Sequence, residues 1–249
     1  MSARAYIGVV PTIDLNADLG EGFGPYRPAN DADVLSLVTS ASIACGFHAG
    51  DPVVMRETVA RAVARGVTIG AHPGYPDLLG FGRRAMAASA DEVTAYVIYQ
   101  VGALAAVCHA AGTRLRYVKP HGALYNRAAS DPVTAAAIAT AIHLVDSSLM
   151  LLGLAGSALV DAGRAAGLEV AAEAFADRAY QSDGTLVPRD VPGAVLTDHT
   201  AVAAQAVRLA VGGVDSLCVH GDTAGASTLL RTVRDALTAR GIVIAPFAR

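Results

Sequence analysis

Short apolar runs alternate with longer amphipathic stretches along the chain, and this alternation predicts repeated β/α units. The runs that predict strands cover residues 12–16, 42–45, 67–71, 116–119, 149–154, 169–174, 216–220 and 241–245. The stretches between them are long enough for the helical crossovers that join parallel strands. Without a linker or low-complexity segment, the pattern predicts one α/β domain over residues 1–249, a single (β/α) barrel of seven or eight parallel strands. A doubly wound open sheet is the alternative.

Capping residues place the helices within these units. Asp51, which precedes a proline, predicts a helix start, and Gly66 predicts its end. Ser89 and Glu92 match the capping box that opens the next helix. Further helices are expected after Asp131, Ser157, His199 and Asp222. The connection over residues 176–198 is long and rich in Gly, Pro and Asp, so we expect an excursion or lid there.

Composition narrows the classes of partner. The net charge is −3, from 22 acidic and 19 basic residues without a basic run, which argues against nucleic acid and anionic membranes and favours small molecules. No apolar run approaches the roughly 18 to 20 residues of a membrane span. The apolar stretch 5–10 is shorter than a signal-peptide core. We therefore expect a cytoplasmic protein. Three dispersed cysteines suggest neither a disulfide framework nor a thiolate zinc site.

Polar side chains gather at the ends of the predicted strands, where parallel β/α folds place their chemistry. In chain order these are Asp14, Asn16, Asp18, Glu21, His48, Asp51, His72, Asp77, Arg83, Arg84, Lys119, His121, Tyr125, Glu173, Asp177, Arg178, Tyr180, His220 and Asp222. Each also has a structural interpretation: the histidines can order glycine turns, two aspartates can cap helices, and the arginine pair can be solvated. Their shared position on one rim favours a functional site.

Lys119 is the one basic residue in the sequence that is not an arginine. The 19 basic residues comprise 18 arginines and a single lysine, Lys119. A compact ammonium can enter a tight pocket and lower its pKa on burial, whereas arginine is a planar, permanently charged fork. We therefore expect a functional role for Lys119, with chance survival of one lysine as the alternative. Neither a P-loop nor a G-x-G-x-x-G motif is present, so any nucleotide would be held by glycine-rich turns and helix N-termini.

Several motifs together resemble the LamB/YcsF family. They include "IDLNADLGEGFG", "ACGFHAGDP", "GVTIGAHPGYPDLLGFGRR", "VKPHGALYN", "EAFADRAYQSDGTLVPR" and "CVHGD", in order from residue 13 to residue 222. The resemblance implies a barrel similar to those of glycoside hydrolases and deacetylases. It also implies the role of the A component in an ATP-dependent 5-oxoprolinase, a hydrolase that opens the lactam of 5-oxo-L-proline to L-glutamate with partner subunits B and C. ATP, with Mg²⁺ as its counter-ion, is the implied cofactor.

The motifs and the rim together give a set of expected site residues. We expect catalysis from Asp14, Asp18, His48, His72, Lys119 and His121, with either Asp18 or His72 as the base. We expect binding of substrate or phosphate from Asn16, Glu21, Asp51, Arg83, Glu173, Arg178, His220 and Asp222. Lysine and arginine would stabilise phosphoryl charge, while a carboxylate or imidazole would activate water.

Two other functions remain open from the residues alone. The first is a metal-dependent, deacetylase-like hydrolase acting by itself, with Asp18, His48 and His72 as ligands. Because the spacing of these residues matches no local metal motif, we expect no tightly held transition metal. The second is a protein that presents substrate to a partner without catalysing the reaction.

Overall fold

Strands and helices alternate along the chain in the computed structural model, which describes residues 11–26, 31–220 and 225–248. The strands are β1 (Thr12–Leu19), β2 (Ser40–Ala44), β3 (Thr68–His72), β4 (Tyr117–Val118), β5 (Met150–Leu154), β6 (Val170–Phe175), β7 (Ser216–Cys218) and β8 (Val243–Ile244). The helices are α1 (Asp31–Leu35), α2 (Pro52–Ala64), α3 (Ala90–Ala110), α4 (Gly122–Ser130), α5 (Pro132–Val145), α6 (Ala158–Ala165), α7 (His199–Val211) and α8 (Ala226–Ala239).

The first seven strands close into a parallel barrel. Each strand from β1 to β6 pairs with the next, and β1 also pairs with β7 through Asp14, Leu15 and Asn16. The short β8 pairs only with the start of β1, where Thr12 lies beside Val243. The predicted barrel is confirmed and the open-sheet alternative is wrong, because strands bond to both edges of β1.

The first strand extends beyond its predicted end. It was expected to stop at residue 16, but it continues to Leu19. Asp18 therefore lies within the strand, with Asp14 and Asn16, rather than after it. A strand turns alternate side chains to opposite faces, so these three share one face while the apolar residues between them pack in the outer core.

The half of the barrel nearer the amino ends of the strands is filled by aromatic and apolar side chains. Tyr117 packs with Leu152 and Ala171, and its ring meets Phe247 with 5.1 Å between centroids. Gly70 makes room for this ring, since a Cβ there would lie 2.2 Å from Tyr117 atoms. The floor is thus filled, which leaves the carboxyl ends of the strands as the open end of the barrel.

Two helices were not predicted from the sequence. Helix α1 spans only five residues, too few to show a helical period. Helix α4 begins directly after His121, which occupies the N-cap position without a side-chain capping bond. Helices α2 and α3, in contrast, carry the predicted caps: Asp51 accepts from two backbone amides, and Ser89 and Glu92 form both bonds of the capping box.

Helix α3 is long and apolar enough to cross a membrane by length and composition alone. The pair α4 and α5 passes the same test only when counted as one span, although the two helices are bent by 116°. Within the barrel, α3 is the crossover between β3 and β4. It turns Val97, Val101 and Leu104 into the core, and 33% of its apolar window is buried.

The connection over residues 176–198 forms the expected excursion. Two antiparallel bridges shape it, Arg178 with Val195 and Tyr180 with Leu186. The Arg178 guanidinium holds the loop by donating to the carbonyls of Ala194 at 3.1 Å and Val187 at 2.6 Å. The excursion therefore has a defined path next to the strand ends.

Candidate functional site

A cavity of about 930 Å³ opens at the carboxyl ends of the strands. The 181–190 part of the excursion lines one side, and the first residues of α4 line another. Ionisable side chains from the strand ends border it: Asp18, Glu21, His72, Lys119, His121 and His220. Part of the rim predicted from the sequence therefore borders one shared space.

Lys119 occupies the centre of this end of the barrel and is almost wholly buried. Its Nζ lies 3.1 Å from Asp18 Oδ1 and 3.1 Å from Glu173 Oε2, and it donates to Asn16 Oδ1 at 3.0 Å and Cys218 Sγ at 3.1 Å. We call these five residues the Lys119 centre. The ammonium is thus compensated by two carboxylates.

The pKa of Lys119 moves in the direction opposite to the one that burial alone would produce. Burial alone would lower it, but the neighbouring Asp18, Cys218 and Glu173 outweigh burial and raise the pKa well above its usual range. Lys119 therefore stays charged. The sequence did not show that two carboxylates would converge on this ammonium.

Asp18 connects the Lys119 centre to the histidines. Its Oδ2 lies 3.3 Å from His72 Nε2, while its Oδ1 faces the lysine. Burial would raise the pKa of Asp18, but His72 and Lys119 outweigh it and hold the pKa well below its usual range. Asp18 is therefore a permanent carboxylate at the cavity wall.

Asp14 lies deeper in the barrel, outside the cavity lining. It accepts hydrogen bonds from the hydroxyls of Thr39 at 2.6 Å, Ser40 at 2.6 Å and Ser216. Ser216 in turn accepts from Asn16, which links Asp14 to the Lys119 centre. Burial raises the pKa of Asp14 to about 6, although the three hydroxyls oppose the shift. Asp14 therefore reaches the Lys119 centre only through Ser216 and Asn16 among its described hydrogen bonds.

Three imidazoles and one carboxylate form a second group, which we call the histidine cluster: Glu21, His48, His72 and His121. One ligand atom from each lies within 4.8 Å of the others, and all four residues are buried. His48 stacks on His121 with 3.8 Å between ring centroids, and Glu21 Oε1 lies 3.6 Å from His48 Nε2. These side chains come from the ends of β1, β2, β3 and β4.

Backbone carbonyls fix two of these rings. His72 Nδ1 donates to the Lys119 carbonyl at 2.8 Å, and His121 Nε2 donates to the Phe81 carbonyl at 2.8 Å. A carbonyl only accepts, so in the neutral rings the remaining nitrogens carry lone pairs. Those two nitrogens, His72 Nε2 and His121 Nδ1, lie 2.9 Å apart. Burial, followed by His48 and His72, holds the pKa of His121 well below its usual range.

His48 is the least satisfied member of the histidine cluster. It is completely buried, and neither ring nitrogen has a hydrogen-bond partner among the residues that the structure describes. Glycines make room for the rings: a Cβ on Gly74 would lie 2.8 Å from His48 Nδ1, and one on Gly82 would lie 2.7 Å from His121 Cδ2. Burial, and next His72, holds the pKa of His48 well below its usual range.

A separate imidazole–carboxylate pair borders the cavity at the end of β7. His220 Nδ1 lies 2.9 Å from Asp177 Oδ2, and the His220 amide donates to the same oxygen at 3.1 Å. The His220 ring also stacks on Phe175, with 5.4 Å between centroids. Because Asp177 holds Nδ1–H, Nε2 carries the lone pair in the neutral ring, the arrangement of an oriented base.

The remaining predicted residues have mixed positions. Asp51 does not line the cavity and caps α2, the alternative that the sequence offered. Arg83 and Arg178 line the cavity, with the Arg83 guanidinium 4.9 Å from the Phe81 ring centroid. Arg84, one of the two arginines expected near the rim, pairs instead with Asp77. Asp222 lies outside the described residues.

Sequence reasoning missed two contributors. Cys218 was expected to be only a small buried hydrophobe, but its sulfur accepts from the Lys119 ammonium. The Asp177–His220 pair was not predicted as a pair, although both residues follow strands that are neighbours in a barrel of this order. Cys45 and Cys108 are buried thiols, as expected.

Comparison with known proteins identifies close relatives. A profile of the LamB/YcsF family matches residues 13–249. The chain is 55% identical over 247 residues to the 5-oxoprolinase A component of Methylococcus capsulatus, covering 94% of this chain and 95% of that one. The protein of the same name from Heliobacterium modesticaldum is 52% identical over 245 residues, covering 93% and 96%.

Solved structures agree with the barrel. The lactam utilization protein from Thermus thermophilus superposes with a TM-score of 0.89 at 44% identity, covering 95% of this chain and 100% of that one. The catalytic domain of a peptidoglycan N-acetylglucosamine deacetylase from Eubacterium rectale superposes with a TM-score of 0.53 at 12% identity, covering 99% and 92%. This second likeness shows a shared fold alone.

Proposed function

Because the chain belongs to the LamB/YcsF family, we propose that it is the A component of an ATP-dependent 5-oxoprolinase. In this proposal it acts with subunits B and C to open the lactam of 5-oxo-L-proline to L-glutamate while ATP is hydrolysed. The relatives at 55% and 52% identity carry the name of this component. ATP would bring Mg²⁺ as its counter-ion.

One structural observation carries the proposal: a buried, permanently charged lysine borders a cavity large enough for a small substrate. A lactam is an unreactive amide, and phosphorylation of its oxygen would make that oxygen a leaving group. In this proposal Lys119 stabilises the negative charge that develops on an oxyanion or phosphoryl group. Asp18 and Glu173 keep the ammonium in position.

Proton transfer is the second requirement. Water must lose a proton as it adds to the lactam carbon, and the ring nitrogen must gain one when the C–N bond breaks. Cleavage of the C–N bond leaves an acyl phosphate, and a second water hydrolyses it, so phosphate leaves with the former lactam oxygen and both carboxylate oxygens come from water. A carboxylate with a strongly lowered pKa is a weak base, which disfavours Asp18 for the first step. We assign the base role to His220, oriented by Asp177, with His72 and His121 as the other imidazoles at the cavity.

The N-terminus of α4 and the arginines supply sites for anions. Gly122 and Ala123 line the cavity at the positive end of that helix, and Arg83 and Arg178 line other walls. We propose that the substrate carboxylate and any phosphate lie toward these groups. A reaction that consumes ATP, and three cysteines that are all free thiols, fit a cytoplasmic location.

The test is glutamate formation from 5-oxoproline and ATP by the chain alone, by B and C alone, and by all three components. We expect turnover only with the complete set and with ATP. His220→Gln should lower turnover about 10²-fold or more in the complete set, while His143→Gln, an exposed histidine on α5, should not.

Other outcomes would replace the proposal. Robust ATP-independent hydrolysis by the chain alone would favour the deacetylase-like hydrolase. If subunits B and C were fully active without this chain, the chain would have no role in catalysis. Activity in which His220→Gln matches wild type would reject the assigned base while leaving the overall function intact.

A further inference from the structure

We propose that the histidine cluster, made of Glu21, His48, His72 and His121, is a binding site for a first-row transition-metal ion such as Zn²⁺ or Co²⁺. The sequence led us to expect no such ion, because its spacing matches no local metal motif. Closure of the barrel brings the four side chains together from four different strand ends. The site is thus a property of the fold rather than of a linear motif.

The first observation is the pair of opposed lone pairs. Backbone carbonyls hold one N–H group each of His72 and His121, so in the neutral rings His72 Nε2 and His121 Nδ1 are both acceptors and lie 2.9 Å apart. Two acceptors at that distance repel each other unless a proton or a cation lies between or beside them. Metal-binding histidines commonly donate their other N–H to a carbonyl in this way, which fixes the ring for coordination.

The second observation is His48. Its ring is fully buried and lacks a hydrogen-bond partner within the described part of the chain, although burying an unpaired polar group is costly. Its Nε2 lies 3.6 Å from Glu21 Oε1, on the side of the ring that faces the cluster. A bound cation would give this nitrogen the partner that it lacks.

The distances suit a small ion. Ligand atoms that stand about 2.0 to 2.1 Å from a tetrahedral zinc ion lie roughly 3.3 Å from one another. Three measured separations in the cluster are 2.9 Å, 3.6 Å and 3.7 Å, the last between Glu21 Oε1 and His121 Nδ1. Three imidazoles with one carboxylate favour Zn²⁺, Co²⁺ or Ni²⁺ over Mg²⁺ or Ca²⁺, which prefer oxygen ligands.

The cluster is open on one side. Glu21, His72 and His121 border the cavity, whereas His48 does not. An ion held here would therefore face the space in which a substrate or water could reach it, and it could polarise a carbonyl oxygen or acidify a bound water. That catalytic role rests on the proposed function, but binding of the ion does not.

Direct binding measurements test the site. Protein stripped with a chelator is titrated with Zn²⁺ by calorimetry and with Co²⁺ by visible absorption, which reports nitrogen and oxygen coordination. We expect one ion per chain. Losing one ligand should weaken binding by at least about 100-fold, the upper end of what loss of a ligand's supporting partner costs. The variants are His48→Leu, which breaks no hydrogen bond within the described residues, and Glu21→Gln, which keeps the side-chain shape.

His143→Ala is the matched control, since it removes an exposed histidine far from the cluster in the fold. It should bind like wild type. If neither ion binds to wild type, the histidines share only a proton and the proposal fails. If both ions bind equally to wild type and to His48→Leu, the site lies elsewhere and the proposal also fails. Neither result depends on 5-oxoprolinase activity, so failure here leaves the proposed function standing.

Discussion

The Lys119 centre and the histidine cluster lie side by side at the same end of the barrel. The chain's own residues pair the polar atoms of the first group more completely than those of the second. In the Lys119 centre a buried cation meets the carboxylates of Asp18 and Glu173, each 3.1 Å away. In the histidine cluster His72 Nε2 and His121 Nδ1 lie 2.9 Å apart and are both acceptors in the neutral rings, and His48 has no hydrogen-bond partner within the described residues.

This difference indicates that the Lys119 centre is a self-contained group of paired charges, whereas the histidine cluster is arranged to bind an ion. A buried charge is tolerated when opposite charges and hydrogen bonds compensate it, as they do for Lys119. Unpaired acceptors packed together in the interior are costly unless something from outside completes them. We therefore expect the Lys119 centre to lose stability and activity when one of its own residues is replaced. We expect the histidine cluster to bind an added ion.

The largest effect should follow from breaking the Lys119 centre. Lys119→Met leaves two buried carboxylates without their cation, which should reduce the free energy of unfolding by about 3 to 5 kcal/mol. Loss of one electrostatic stabiliser should also cut turnover by about 10² to 10³. Urea unfolding and ATP-driven glutamate formation with subunits B and C measure the two effects.

Two further variants sharpen this result. Lys119→Arg should restore little, because the longer planar guanidinium has no room at a position that is 1% exposed. Arg127→Met removes a cation from an exposed pair with Asp131, and should change stability by no more than about 1 kcal/mol. Wild-type activity in Lys119→Arg would show that the position needs only a positive charge.

A smaller effect concerns the pH dependence of stability, and it comes from Asp14, which lies deeper in the barrel than the Lys119 centre. Burial raises the pKa of Asp14 to about 6 in the folded protein, compared with about 3.9 in an unfolded chain. Between these values the folded state binds more protons, so its stability falls as pH rises from about 4 to about 6. A difference of two pKa units corresponds to about 3 kcal/mol in the free energy of unfolding. Asp14 contributes this stability at low pH, and the contribution is lost above its pKa in the folded protein.

Asp14→Asn isolates this contribution because the amide does not titrate in this range. The unfolding free energy of the variant relative to wild type should rise by about 3 kcal/mol between pH 4 and pH 7. Any constant cost of disturbing the hydroxyls of Thr39, Ser40 and Ser216 leaves that slope unchanged. Asp161→Asn, at an exposed carboxylate, controls for loss of a charge. Parallel pH profiles for Asp14→Asn and wild type would contradict the buried-carboxyl interpretation.

The two regions also differ in how far the sequence predicted them. Asp14, Asn16 and Asp18 alternate with apolar residues, so their common face follows from the period of a strand. Lys119 was marked by its rarity. The stacking of His48 on His121 depends on barrel closure and on loop paths, which no local spacing encodes. Helix α4 was missed because His121 at its start provides no side-chain cap.

The smallest expected effect tests whether space around the histidine rings matters. Gly82 has φ of +64°, and an added Cβ would lie 2.7 Å from both His121 Cδ2 and His48 Cβ. Gly66 has nearly the same φ, +66°, but nothing lies within 4 Å of its added Cβ. Gly66→Ala should therefore carry only the backbone strain, about 1 kcal/mol.

Gly82→Ala should carry the same strain plus crowding of two buried rings, for which overpacking typically costs about 1 to 3 kcal/mol. Displacement of the rings should also weaken Zn²⁺ binding in Gly82→Ala while leaving Gly66→Ala like wild type. Thermal unfolding with and without Zn²⁺ measures both effects. If the two variants lose equal stability and bind Zn²⁺ equally well, the rings have room to move, and the histidine cluster is less rigidly arranged than its contacts with the Lys119 and Phe81 carbonyls imply.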